Sequence, residues 1–280
     1  MAFAPELSVV IFSLLAAASW GSGDFSGGVA SRRMSVASVL AISHPVGLVL
    51  LLILARINGE VSIQPNDWIW GLSAGAAGGI ALAMLYRALA TGRAGVVAPV
   101  TSIIATSLPV IVGITTDGLP GDLTLIGFAL AFVSVLLVSA SGAFATSGLS
   151  LALGAGLGFG IFFIMIARIE SEAVFLPLAV ARLASSVLMI TVALGTRRLV
   201  RPSSPTLLGA ILLAGTLDVT GNTFFSLAER SGRLDIAGVL SSLYPAVTIT
   251  WAFLLRGERI GRWQLIGIVL GLIAVALIAF

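Results

Sequence analysis

Three charged side chains stand inside stretches that are otherwise almost wholly apolar. They are Asp24 in WGSGDFSGG (20–28), Arg182 in AVARLAS (179–185) and Asp218 in AGTLDVTGN (214–222). A charge at the bilayer centre costs ~2.5–3.5 kcal/mol even on the lenient insertion scale, so each needs a partner or a polar pathway. Arg182 and Asp218 fall at similar depth on successive antiparallel segments and can pair; a packing salt bridge and a charged wall of a substrate pathway both fit that geometry. Asp24 lies within about a turn of the expected end of its segment, with Arg32 and Arg33 just beyond. It reads as an interfacial charge near a cavity mouth.

Other reactive groups are sparse. His44 is the only histidine and precedes Pro45, which suits a packed ring or a proton relay. Gly71-Leu-Ser-Ala-Gly75 matches G-x-S-x-G, but a nucleophile elbow needs a strand–turn–helix context with His and Asp partners. Inside an apolar helix the two glycines make a small-residue packing face instead. Gly154, Gly156, Gly158 and Gly160 have no preceding strand and no following Lys-Ser, so they are not a phosphate loop. Adjacent hydroxyls recur at Thr101-Ser102 and at Ser241-Ser242, the latter just before Tyr244-Pro245. Such hydroxyls either bond back to their own helix or face a substrate. The chain has no cysteine, so thiol catalysis and cysteine-ligated metals are excluded, and no cofactor or metal is expected.

The elements that position these groups follow from composition. Of 280 residues, 58% are hydrophobic and 10% charged, with mean hydropathy +1.13. Soluble domains carry about 25% charged residues, so this is an integral membrane protein. The net charge of +3 comes from arginines scattered between apolar runs, which argues against nucleic-acid binding. MAFAPELSVV lacks a basic n-region and reads as a retained first helix.

Breaking the chain at polar clusters predicts ten apolar segments, 7–28, 36–57, 68–90, 94–116, 122–141, 147–169, 173–196, 205–228, 234–255 and 262–280. Each is long enough to cross ~30 Å of hydrocarbon as a helix, and no barrel alternation is present. The expected fold is therefore all-α, a polytopic membrane protein. Prolines are expected to interrupt segments two (Pro45), four (Pro99, Pro109), seven (Pro177) and nine (Pro245).

A shift of half the chain length aligns Gly92-Arg93 with Gly232-Arg233, Thr101-Ser102 with Ser241-Ser242, and Leu125-Ile126-Gly127 with Leu265-Ile266-Gly267. Residues 1–140 and 141–280 thus read as two repeats of five spans. An odd number of spans inverts the second repeat, which is a transporter architecture with substrate near the midplane. Loops opposite the termini carry Arg32, Arg33, Arg87, Arg93, Arg197, Arg198, Arg201, Arg256, Arg259 and Arg262. Those on the termini's side carry Arg56, Arg168, Arg230 and Arg233, so the positive-inside rule puts both ends outside the cytoplasm.

Trp20-Gly21-Ser22, Leu85-Tyr86-Arg87-Ala88-Leu89, Ser242-Leu243-Tyr244-Pro245 and Arg256-Gly257-Glu258-Arg259-Ile260, the last followed by Leu265-Ile266-Gly267, resemble one family in order and spacing. The chain resembles the EamA-type branch of the drug/metabolite transporter superfamily, and most of all its YddG-type exporters of aromatic and other neutral amino acids. The resemblance implies ten spans as inverted repeats, termini in the cytoplasm and a multi-pass protein of the bacterial inner membrane. The first half departs from the pattern, with Asp117-Gly118 where the last loop has Gly257-Glu258.

The function expected is export of small neutral metabolites, with amino acids foremost, by alternating access through a central cavity gated by segments four and nine. In that reading Thr101, Ser102, Ser241 and Ser242 hold the substrate's polar backbone, and Trp20, Tyr86, Phe163 and Tyr244 its side chain. Asp24, Arg182 and Asp218 meet the charges of a zwitterion, and His44 and Asn222 complete the candidate set. The alternatives are a channel-like or lipid-moving protein, or an intramembrane enzyme, which lacks a histidine partner and metal ligands here. The partners expected are a small-molecule substrate and the lipid bilayer, with no nucleic acid; a monomer is compatible with the sequence.

Overall fold

The computed structural model of the chain describes residues 5–91, 94–138, 148–256 and 261–279. Gly92-Arg93, residues 257–260 of the last loop and the boundary between the two halves at 140 lie outside the described residues.

Eleven helices make up the described part: α1 (Pro5–Ser31), α2 (Val36–Ile57), α3 (Pro65–Thr91), α4 (Ala94–Asp117), α5 (Asp122–Val138), α6 (Leu149–Ile166), α7 (Phe175–Gly195), α8 (Pro205–Ser231), α9 (Leu234–Ser241), α10 (Tyr244–Arg256) and α11 (Arg262–Ala279). Eight stretches are long and apolar enough to cross a membrane, with α9 and α10 counted together as Leu234–Leu255; Asp122–Leu137 and Arg262–Ile278 are apolar but shorter. The ten expected segments are thus all helical, and one of them is broken.

The prolines behave differently from expectation. α2 runs unbroken through Pro45, α4 through Pro99 and Pro109, and α7 through Pro177. Pro177 is the third residue of its helix, where a missing N–H costs nothing because first-turn donors have no intrahelical acceptor. Only the ninth segment stops. Ser242 and Leu243 close α9 by hydrogen bonds to Gly238 (3.0 Å) and Leu240 (3.3 Å), and Pro245 opens α10 as its second residue. α1 runs three residues past its expected end, to Ser31, which moves Asp24 two turns inside the helix. The interfacial placement of Asp24 is therefore corrected.

Helices in lipid gain little from burying leucine against leucine, so close backbone approach over small residues must hold them together. A Cβ at Gly75 in α3 would strike the carbonyl of Ala181 in α7, and one at Gly215 in α8 would strike the carbonyl of Ser43 in α2. Likewise Gly221 of α8 faces Trp20 of α1 as Gly158 of α6 faces Ala81 of α3, and Gly79 faces Ser185 as Gly47 faces Val219. The four glycines of α6 split by helical spacing: Gly154 and Gly158 meet α3, while Gly156 and Gly160 meet α4. The Gly71–Gly75 motif is likewise packed on α7, against Pro177, Val180 and Ala181.

These contacts obey one rule. Exchanging α1 with α6, α2 with α7, α3 with α8, α4 with α9–α10 and α5 with α11 maps the most extensive helix contacts onto one another. α1·α8 becomes α6·α3, α3·α7 becomes α8·α2, α4·α6 becomes the contact of α9 and α10 with α1, and α2·α7, α5·α11 and α4·α9 map onto themselves. Ser102 and Ser242, aligned in the sequence shift, meet directly: the Ser102 hydroxyl donates to the Ser242 carbonyl at 2.7 Å.

Polar clamps finish the ends. Glu60 accepts from the backbone N–H groups of Val174 (2.9 Å), Phe175 (3.2 Å) and Leu176 (2.8 Å), satisfying the start of α7 where the helix dipole favours an anion. Asp67, fully buried, accepts from Gln64, Glu170 and Ser171. Arg233 donates to the carbonyls of Asp117 and Gly118 and to Asp235, whose carboxylate pushes the guanidinium pKa up from its ordinary value. At the opposite end Ser35 and Ser38 donate to the Arg198 carbonyl.

Gly75→Val and Gly215→Val are expected to lower the thermal midpoint of the purified protein sharply, since overpacking against backbone costs about 1–3 kcal/mol or more. Gly209→Ala, with open space around it, is expected to leave the midpoint unchanged or slightly raised. Equal midpoints for Gly75→Val and Gly209→Ala would contradict the close-approach account.

Candidate functional site

Where the two halves meet, they leave a central cavity. α1, α3, α4 and α6 to α9 supply its walls, with Tyr244 of α10.

One wall is charged. Arg182 donates to Asp218 across α7 and α8, with the side chains 8% and 17% exposed. The pairing anticipated from depth therefore forms, and both residues also line the cavity. Asp24 lies on the same wall, half-buried, and makes no hydrogen bond or ion pair among the described residues. Asn222, one turn beyond Asp218, accepts the Trp20 indole N–H at 3.0 Å and keeps its amide nitrogen as a donor.

An aromatic cluster lines the cavity as well. Trp20 lies 5.4 Å from Phe163, which lies 4.5 Å from Phe225 and 5.6 Å from Phe162. Trp20, Phe159, Phe162 and Phe163 line the cavity and Phe225 backs them, in offset geometries that aromatic rings favour.

The hydroxyls have a structural task. Besides Ser102, Thr106 donates to the Ser102 carbonyl (2.9 Å), Ser241 to Ser13 (3.4 Å), Ser242 to Val239 (2.6 Å) and Tyr244 to Ala98 (3.3 Å). Some bonds are within a helix and others cross between helices, so both sequence readings were incomplete. These groups line the cavity with their protons already directed to carbonyls. What they present is oxygen lone pairs.

Of the thirteen candidate residues, Trp20, Asp24, Ser102, Phe163, Arg182, Asp218, Asn222, Ser241, Ser242 and Tyr244 line the cavity. Three stand outside its lining. Thr101 is buried and donates to the Ala152 carbonyl at 3.2 Å, joining α4 to α6. Tyr86 is 1% exposed and packs where Gly27 has no side chain. His44 is 1% exposed and buried behind the cavity wall among α2, α3 and α7. Thr106, Ser185 and Phe159 escaped the sequence reading, although Thr106 stands one turn after Ser102 and Ser185 one turn after Arg182.

The exchange of halves adds a further point. In the register of the glycine contacts, the counterpart of Arg182 is His44, that of Asp218 is Gly78 and that of Asp24 is Phe162. The frame has two equivalent corners, and only one is charged. No group of three or more His, Asp or Glu suited to a metal occurs among the described residues.

Comparison with known proteins follows this geometry. The sequence profile of the EamA-like transporter family matches twice, over residues 7–140 and 146–280. No match is found among curated proteins. A solved structure titled "Crystal structure of protein" is similar with a TM-score of 0.78 at 15% identity, covering 96% of this chain and 97% of that one, which is a likeness of fold.

Arg182→Ala is expected to destabilise the protein by about 3–5 kcal/mol, because it strands the Asp218 charge away from water. The swap Arg182→Asp with Asp218→Arg is expected to recover most of the lost thermal midpoint. A swapped protein no more stable than either single variant would refute a pairing that matters.

Proposed function

The chain belongs to the EamA-like transporter family, and on that premise we propose that it is an alternating-access carrier for small metabolites with an amino group and an apolar or aromatic body. Aromatic and other neutral amino acids fall in that class, and the direction proposed is export across a bacterial inner membrane. The observation that carries this reading is the central cavity itself, built from both halves and lined by charged and aromatic side chains together.

In this proposal each half crosses the membrane five times, so the second is inverted relative to the first. Substrate sits at the interface between them, where inverted-repeat transporters place it. Trp20 and Phe163 pack against its apolar body, while Asp24 and Asn222 meet its polar end. The glycine faces of α3, α6 and α8 let helices shift past one another without dislodging side chains. The break at Ser242-Leu243 is the hinge, and α10 is the part that moves relative to α9. The Ser102–Ser242 bond then lies at the pivot. Segment four, unbroken, supplies the fixed side of this gate, not a second hinge.

A lipid-moving protein fits less well, since the site carries two carboxylates and a guanidinium at its wall, and a channel leaves the hinge without a task. Purified protein in vesicles loaded with phenylalanine or phenethylamine is expected to accelerate uptake of the same labelled compound, with flux that saturates. Trp20→Ala and Phe163→Ala are each expected to raise the half-saturation concentration roughly tenfold, as befits loss of about 1.5 kcal/mol of aromatic burial. Flux linear in concentration, with no counterflow, would point to a channel.

A further inference from the structure

Charge and hydrogen-bond balance in the cavity say more about the substrate than its shape does. Two carboxylates and one guanidinium line it, and the guanidinium is already engaged by Asp218. Asp24 is the one ionisable group of the wall that makes no hydrogen bond or ion pair among the described residues. The neutral groups lean the same way. Ser102, Thr106, Ser241, Ser242 and Tyr244 all direct their protons to backbone carbonyls, so the oxygens they offer are acceptors. An acceptor-rich cavity with one free carboxylate calls for a ligand that donates several hydrogen bonds and carries positive charge. An alkylammonium does both, having three N–H donors and no acceptor.

We infer that the cavity is an ammonium site centred on Asp24, and that its preferred substrates are amines with an apolar or aromatic body and no carboxylate. The inference rests on the carrier reading and narrows it. Trp20 stands one turn before Asp24 on α1 and lines the same cavity, so an ammonium at Asp24 lies beside an aromatic face that also attracts cations. A zwitterion brings a carboxylate into the same space, where Arg182 is committed to Asp218 and two carboxylates already stand. Short of breaking the ion pair, that anion finds the Asn222 amide nitrogen as its donor, a neutral group with no charge to balance it. The uncharged counterpart corner, with Phe162 in place of Asp24 and Gly78 in place of Asp218, is fitted to the substrate's apolar end.

Three probes with one phenyl body and different charge test this: phenethylamine, phenylalanine and 3-phenylpropionate. Binding to purified protein, read by ligand-dependent thermal stabilisation and calorimetry, is expected to be tightest for phenethylamine. Phenylalanine is expected to be weaker roughly tenfold or more, the scale of one charge-assisted contact, and phenylpropionate weakest. Asp24→Asn keeps the shape of the side chain and is expected to abolish the preference for the amine; Asp24→Glu is expected to retain it. Phenylalanine binding as tightly as phenethylamine overturns the inference, as does an Asp24→Asn protein that still prefers the amine. If Asp24→Asn fails to fold, the wild-type order of the three probes decides alone. Vesicle counterflow separates the two levels: saturable counterflow with phenylalanine favoured keeps the carrier and discards the ammonium site. No counterflow with any probe discards both.

Discussion

The contact between α3 and the carbonyl of Ala181, possible only because Gly75 has no side chain, is the type of constraint on which the molecule depends. In hydrocarbon there is no water to squeeze from between helices, so van der Waals contact at short range and hydrogen bonds must hold them. Gly75, Gly215, Gly158 and Gly221 bring four helix pairs close enough for that contact. Gly75 and Gly215 occupy corresponding places in the two halves, while Gly158 and Gly221 serve corresponding contacts from opposite helices, so the close contacts recur and the second half repeats the frame of the first. The cavity is the space left between two such frames.

Within this repeated frame the polar chemistry is not repeated. Arg182, Asp218 and Asp24 occupy positions whose counterparts are His44, Gly78 and Phe162. Backbone packing tolerates this divergence because it depends on small residues elsewhere on the same helices. A symmetric scaffold thereby encloses an asymmetric cavity, lined by Asp24, Arg182 and Asp218 where their counterparts carry no such charges.

Hydroxyls tie the two parts together. Thr101 donates from α4 to α6 while Ser241 donates from α9 to α1, which are exchanged positions of one arrangement. Ser102 and Ser242 meet between the halves. Buried hydroxyls need acceptors in a low-dielectric interior, and here main-chain carbonyls provide them. The consequence for the site is chemical: groups that look amphoteric in a list of residues act as acceptors once their protons are fixed.

Helix number, membrane residence and nearly every boundary were legible in the chain because lipid imposes a local rule. A span must be apolar for about twenty residues and satisfy its backbone within itself, and neither condition involves distant residues. The Arg182–Asp218 pairing was legible too, since successive antiparallel spans fix relative depth. Three things were not. Pro45, Pro99 and Pro109 leave their helices unbroken while Ser242-Leu243 breaks, because whether a helix tolerates a lost hydrogen bond depends on what packs around it. His44, Tyr86 and Thr101 fall outside the cavity lining because the face a residue presents is decided by which helix lies against it. Asp24 makes no hydrogen bond or ion pair among the described residues, while Arg182 is engaged from α8. Sequence by itself determined that the chain lies in the membrane and is built of apolar helices. Tertiary structure alone decided which ionisable groups pair and which do not, since that follows from distances between residues far apart in the chain.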